Sequence, residues 1–201
     1  VLLDASNKNR ITIVGNTSAS STVTKFGSKS IFFDGTGDYL TIPESDSIIA
    51  ENGSPFTVEG WFYPTTSDYT NYRVLFYKRN ATSTQVEYGV YLDTTTGYIS
   101  FRRTSTLTTS TTTLTLNSWN HIAVVFDGIQ TWLYKDGVLL TNFPTTTTIT
   151  KYTGSSLDFG YDSNTNSNFF QGYMDDIRIT KGVARYSGSS FNVPTKTHPT
   201  Q

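Results

Sequence analysis

Apolar and polar positions alternate along this chain with a period of two, and no stretch of useful length repeats every 3.6 residues. The clearest case is 56–63. Phe56, Val58, Gly60 and Phe62 fall on one face of an extended strand, and Glu59, Trp61 and Tyr63 on the other. Residues 72–78, 86–92, 98–103 and 119–126 read as strands too. Shorter runs at 11–14, 30–33, 39–42, 131–135, 138–140, 145–150, 157–161 and 173–179 complete the set. Residues 104–115 are a Thr/Ser run, and Leu114 and Leu116 point to one more strand approaching Trp119. Residues 18–21 read as a polar loop, and 44–55 as a loop or a single helical turn.

The turns are written in Gly, Asp and Asn. Asp127-Gly128 and Asp136-Gly137 sit between apolar strands and predict a meander. Asp34-Gly35-Thr36-Gly37-Asp38 between 30–33 and 39–42 predicts a hairpin. About fourteen strands at this spacing imply an all-β, antiparallel two-sheet sandwich. No internal repeat points to a propeller or solenoid. One domain, 1–194, accounts for the pattern. Pro194 and Pro199 mark 195–201 as a tail or linker.

The stretch 169–179 breaks the simple rule. Read as one uninterrupted strand, it puts Asp175 on the same face as Ile177 and Ile179. A carboxylate cannot enter a core unpaired. It needs a strand end, an arginine, N–H donors from a loop, or a cation.

Composition narrows the function classes. The 13 Tyr, 13 Phe and 3 Trp suit strands. A net charge of −1 gives no bulk attraction to nucleic acid or anionic membranes. Cysteine is absent, which excludes disulfides, thiolate zinc sites and cysteine nucleophiles. No apolar run approaches the ~20 residues that cross a bilayer, so membrane insertion by a helix is not expected. The chain opens on Val1, which reads as a fragment or a processed chain.

Five motifs in order carry a resemblance. They are Lys25-Phe26-Gly27 before Ile31-Phe32-Phe33-Asp34-Gly35; Asp38-Tyr39-Leu40; Phe56-Thr57-Val58-Glu59-Gly60-Trp61-Phe62; Trp119-Asn120-His121-Ile122-Ala123 with Tyr134-Lys135-Asp136-Gly137; and Gly172-Tyr173-Met174-Asp175-Asp176-Ile177-Arg178-Ile179. Together they resemble the laminin-G-like jelly-roll domains of the concanavalin A-like lectin and glucanase superfamily. The continuation 180–186 is similar to versions found in bacteriophage and bacterial surface proteins. The resemblance implies a structural calcium held by a carboxylate near the amino end, carbonyls near an Asp-Gly turn and an aspartate opening the last strand. Asp4, Asp34 with Gly35, and Asp175 stand at those positions. Oxygen ligands of this kind suit Ca²⁺. A salt bridge of Asp175 or Asp176 with Arg178, Arg10 or Lys25, or loop N–H bonds, is the other reading.

Catalysis is not expected. Paired carboxylates of glucanases have their nearest counterpart in Glu44-Ser45-Asp46, which follows Pro43 in a loop. His121 and His198 are the two histidines, too few for a His-based zinc cluster, and His121 beside an apolar strand reads as structural. The candidate ligand platform is Glu59, Trp61 and Tyr63, with Tyr91 and Arg102 as neighbours on adjacent strands. Rings would stack on sugar CH faces, and Glu and Arg would bond hydroxyls. The competing reading makes Trp61 core under a loop and Glu59–Arg102 a cross-strand ion pair. The polar loops 67–71 and 162–168 are further candidates. The expected role is a non-catalytic recognition module for a glycan or cell-surface polymer, in a virion or at the cell surface. The alternative is a purely structural virion module that packs on neighbouring particle proteins. Either is compatible with an oligomer.

Overall fold

The structure, a computed structural model, describes residues 6, 8–48, 53–80, 86–104, 106–143, 150–163, 165 and 167–199, without the side chains of 106 and 141–143. Fourteen strands are present among them. They are β1 (Thr12–Val14), β2 (Ser18–Ser20), β3 (Ser30–Asp34), β4 (Tyr39–Ile42), β5 (Phe56–Pro64), β6 (Arg73–Asn80) and β7 (Val86–Leu92). The second half holds β8 (Tyr98–Arg103), β9 (Thr106–Thr113), β10 (Asn120–Phe126), β11 (Thr131–Lys135), β12 (Val138–Phe143), β13 (Ser155–Phe159) and β14 (Gln171–Lys181). They form two antiparallel sheets of seven strands. The first runs β1-β4-β13-β6-β7-β8-β9 and the second β12-β11-β10-β5-β14-β3-β2. This is the two-sheet sandwich that the alternation predicts. The expected strand at 145–150 falls almost wholly outside the described residues.

The inner faces meet in one apolar core. Phe62 and Val58 of β5 face Phe76 of β6, Tyr88 and Val90 of β7 and Phe101 of β8, with Ile122, Val124 and Phe126 of β10 beside them. The Asp-Gly turns give the predicted meander β10-β11-β12. The polar run 18–20 is an edge strand rather than a loop, paired with β3.

The predicted hairpin at 34–38 is not one. β3 lies in the second sheet and β4 in the first, so this turn carries the chain across the core. Buried Asp38 fixes the crossing. Its two oxygens accept N–H bonds from Asn16 (2.8 Å) and Asp34 (2.9 Å), tying two turns together. A Gly-rich turn specifies a sharp reversal; it does not specify which sheet receives the next strand.

β14 also departs from its sequence reading. Its register on β5 slips between Asp175 and Arg178, where Asp175 pairs with Trp61 and Arg178 with Glu59. The extra residue makes a bulge, and Asp176 takes a left-handed backbone there (φ 50°). A one-residue slip inverts the facing of everything beyond it. Met174 and Ile177 therefore both point inward, and Asp175 and Arg178 both point outward. Asp175 does not share a face with the isoleucines. Gly60 opposite the bulge leaves room for Ile177, whose side chain would overlap a Cβ at that position.

Residues 190–198 are tied to the sandwich. Val138 bridges to Ser190, Phe191 donates its N–H to the Gly137 carbonyl (2.8 Å), and His198 donates its N–H to Asp176 (3.0 Å). Ala184, Tyr186 and Phe191 pack on Ala123, Val125 and Tyr134 of the second sheet. The segment 183–198 is a strap over half of that sheet's outer face.

One charge pair is sealed within the sandwich. Lys78 Nζ lies 3.1 Å from Glu87 Oε1, and both side chains are fully buried. Glu87 Oε1 also accepts the Tyr152 N–H (3.0 Å). Removing one partner strands a buried charge; removing both does not. Lys78→Met is expected to cost about 3 kcal/mol, and Lys78→Met with Glu87→Leu to recover most of it. Urea unfolding of the two single variants and the double variant measures this. A double variant as unstable as the sum of its singles would contradict it.

Candidate functional site

The five residues of the sequence-derived platform are not brought together. Glu59, Trp61 and Tyr63 lie on the outer face of the second sheet, as alternation in β5 requires. Tyr91 and Arg102 lie on the outer face of the first sheet, on the far side of the core. A Glu59–Arg102 ion pair is therefore impossible. Periodicity sorts a strand's residues into two faces, but it cannot say which sheet the strand joins.

Glu59 is instead the hub beneath the strap. Arg178 donates to Oε1 through Nε (2.9 Å) and Nη2 (2.6 Å), and the Tyr186 hydroxyl donates to Oε2 (2.7 Å). His121 Nε2 lies 3.3 Å from Oε2 without the alignment of a full hydrogen bond. Burial pushes the Glu59 carboxyl up, but the groups around it, His121, Tyr186 and Arg178, outweigh that and bring its pKa to about 2. Tyr186 stacks flat on Phe191, with ring centroids 3.6 Å apart. The whole assembly is closed to a ligand. Trp61 is buried too, with Lys25 Nζ 3.7 Å over its ring and Phe26 against its edge.

The half of this face beyond the strap is different. Tyr173 of β14 pairs with Tyr63 of β5 on one side and Phe32 of β3 on the other, and all three point outward. Trp119, just before β10, adjoins Tyr63. The four rings form one row across β3, β14, β5 and the entry to β10. Centroids are 5.1 Å apart from Phe32 to Tyr173, 5.9 Å from Tyr173 to Tyr63 and 5.4 Å from Tyr63 to Trp119. All four are half-buried, so each ring rests on its neighbours and keeps part of its surface in water. Trp119 is held in place by its Nε1–H bond to the Thr24 carbonyl (3.2 Å). Asp34 and Gln171 sit in register at the end of the row. Sequence reading found Tyr63 alone. Phe32, Tyr173 and Trp119 are each the off-core member of an alternating strand, and the strand order is needed to line them up.

The first sheet's outer face is filled by its own side chains. Asp158, Tyr77, Gly89 and Arg102 stand in register across β13, β6, β7 and β8. The Tyr77 ring lies where a Cβ of Gly89 would be. Burial, ahead of the neighbouring charges, raises the Tyr77 hydroxyl pKa to about 12. Arg79 holds Asp162 at 2.9 Å, with both side chains nearly closed off. Tyr72 rests edge-on over Tyr91 at 4.9 Å and is 40% exposed. Beside it, the loop 67–70 and Thr94–Thr95 enclose an open hollow of about 530 Å³. Asp68 at its edge is committed to the Thr70 N–H and to Arg73.

The residues named for calcium do not make one coordination sphere. Asp4 lies outside the described residues. Asp34 pairs with Gln171, four residues before Asp175 on β14. At about 3.3 Å rise per residue that is roughly 13 Å, too far for ligands that each sit about 2.4 Å from one ion. Asp175 Oδ2 faces donors instead, the N–H groups of Lys25 (2.9 Å) and Phe26 (3.1 Å). Burial raises the Asp175 pKa against these bonds. Asp175 thus ties the 25–26 loop to β14, and Asp176 ties His198. Among the described residues no group of three or more His, Asp or Glu side chains is arranged to hold a metal.

A family model for the concanavalin A-like lectin/glucanases superfamily matches residues 34–185. No curated protein sequence matches the chain. Among solved structures, domain 4 of AbnA, a GH43 extracellular arabinanase from Geobacillus stearothermophilus in complex with arabinotriose, superposes with a TM-score of 0.65. Identity is 16%, over 88% of this chain and 84% of that one. The binding domain of Paraclostridial mosquitocidal protein 1 gives a TM-score of 0.60 at 19% identity, over 88% of this chain and 44% of that one. The botulinum neurotoxin serotype D ligand binding domain in complex with N-acetylneuraminic acid gives 0.61 at 14% identity, over 86% and 42%. At these identities the likeness is one of fold. The chain spans less than half of either toxin fragment.

Proposed function

The chain belongs to the concanavalin A-like lectin/glucanase superfamily, and from that premise we propose that it is a non-catalytic carbohydrate-recognition module whose glycan lies on the row Phe32, Tyr173, Tyr63 and Trp119. The observation that carries this reading is the row itself: four contacting, half-exposed rings, three on the adjacent strands β3, β14 and β5 and the fourth just before β10. Aromatic rings offer large apolar contact area at little entropic cost, and sugar CH faces are the apolar part of a glycan. Asp34 and Gln171 at the row's end supply polar partners for hydroxyls. Two of the similar folds were solved with a sugar bound, which supports the ligand class.

The glutamates among the described residues are ill suited to acid–base catalysis. Glu59 is sealed and has a pKa of about 2, too low for a general acid near neutral pH. Glu87 is locked to Lys78, and Glu44 is held by the Gly154 N–H (2.6 Å) and faces Lys151 at 3.7 Å. A surface or particle protein is the proposed setting. It rests on the likeness of 180–186 to phage and bacterial surface domains.

A glycan array tests the proposal. The wild-type chain should bind at least one glycan class. Tyr63→Ala and Tyr173→Ala should each weaken that binding about tenfold, the usual weight of a ring in a binding hot spot. Tyr72→Ala, on the opposite face, should leave it unchanged. Loss with Tyr72→Ala but not with Tyr173→Ala would move the site to the first sheet. Failure to bind any arrayed glycan would favour the structural-module reading.

A further inference from the structure

Arg103 closes β8 on its inward side, paired across the sheet with Tyr88, and is 2% exposed. Its Nη1 donates to the Thr131 hydroxyl (2.9 Å) at the start of β11. Its Nη2 has no hydrogen-bond partner among the described residues. No described carboxylate pairs with it, and burial alone acts on its pKa, downward. Arginine stays protonated in proteins, so the charge cannot be shed. Asp127, the carboxylate of the β10–β11 turn, is committed to the N–H groups of Ile129 and Gln130 and to Trp132 Nε1. The Phe126 ring, 5.2 Å from the guanidinium, attracts the cation but supplies no counter-charge. The Oγ1 of Thr104, the next residue, is also buried without a partner. Thr131 accepts from Arg103 and keeps its own hydroxyl proton to give.

Among the described residues, the Arg103 guanidinium thus meets a hydroxyl and an aromatic ring but no counter-charge. An unsatisfied buried group of this kind calls for a water or an ion. A water would satisfy Nη2 and leave the charge unbalanced. We infer that Arg103, with the Thr131 hydroxyl, forms a binding site for a small monatomic anion of the chloride class. The closed setting excludes an anion with a large organic body. The site lies at the end of the sandwich opposite the 93–97 turn and is independent of the aromatic row.

Thermal unfolding at constant ionic strength tests it, with sodium chloride, sodium bromide and sodium gluconate as the salts. Chloride and bromide should raise the Tm saturably by about 2–4 °C over gluconate, because an ion bound to the native state alone stabilises it. Arg103→Met should abolish the difference. It should be no less stable than wild type in gluconate, since an apolar side chain of similar length replaces an unpaired charge. A crystal grown in bromide should show an anomalous peak beside the guanidinium. A Tm independent of the anion, or the same dependence in Arg103→Met, would overturn the site. If Arg103→Met does not fold, the bromide peak decides: its presence supports the site, and its absence rejects it.

Discussion

Glu59→Ala is expected to destabilise the protein by about 4 kcal/mol and to loosen the strap 183–198. The carboxylate is fully buried; it accepts hydrogen bonds from Arg178 and Tyr186 and lies against His121 (3.3 Å) and His198 (3.8 Å). Its loss leaves Arg178 half-covered without a counter-charge, and leaves Tyr186 and His121 facing a void. Breaking a buried pair by removing one partner is among the few routes to so large an effect. Limited proteolysis should cut within 183–198 in the variant before it cuts wild type. The pH dependence gives an independent check. The folded pKa of about 2 lies below the ordinary value of 4.5. A depressed carboxyl contributes stability that is complete above the unfolded pKa and lost as pH falls through the folded one. The contribution is about 3 kcal/mol, present above about pH 5 and gone near pH 2. Asp158 and Asp175 are held above their ordinary values by burial and act in the opposite sense. The measurement must therefore be the gap between wild type and Glu59→Gln. That gap should narrow from pH 5 to pH 2. A gap of constant size would mean that Glu59 is not the titrating hub.

What the sequence made legible follows from what local pattern encodes. Alternation in 56–63 placed Phe56, Val58 and Phe62 inward and Glu59, Trp61 and Tyr63 outward, and the structure agrees. Asp127-Gly128 and Asp136-Gly137 gave the meander because a reversal of two to four residues leaves the next strand one obvious partner. The same logic failed at 34–38, where an equally sharp turn delivers β4 to the other sheet. The bulge at Asp176 was hidden because a slipped register has no signature in hydrophobicity alone. One added residue reversed the facing of Asp175, which removed the need for an inward cation. The strap was illegible for a different reason. Residues 183–198 look polar and proline-bearing, yet their few apolar members, Tyr186 and Phe191 chiefly, dock on a face whose partner the strand order alone defines. Tyr91 and Arg102 were grouped with Glu59 for want of that order.

Gly172→Ala should be the most damaging single methyl in the chain, costing at least 4 kcal/mol or abolishing folding. Two independent penalties coincide there. The backbone sits at φ 142°, a region that side-chain-bearing residues rarely enter. A Cβ would also overlap the Tyr63 carbonyl oxygen, with the Tyr63 carbonyl carbon and the Pro64 Cα close behind. These are backbone atoms of β5, so no side-chain rotation relieves the clash. The strands must separate where β14 begins to pair. That junction also carries Tyr63 and Tyr173, the centre of the aromatic row. Gly182→Ala is the matched control. It shares a left-handed backbone (φ 79°) but would meet no atom within 4 Å. It should cost about 1–2 kcal/mol, the conformational penalty alone. Denaturant midpoints of the two variants separate the terms. Equal losses would mean that the overlap at Gly172 is relieved by a small shift of β5. A loss at Gly172 well above that at Gly182 would identify close backbone approach as the reason that glycine precedes Tyr173, with the row's geometry depending on it.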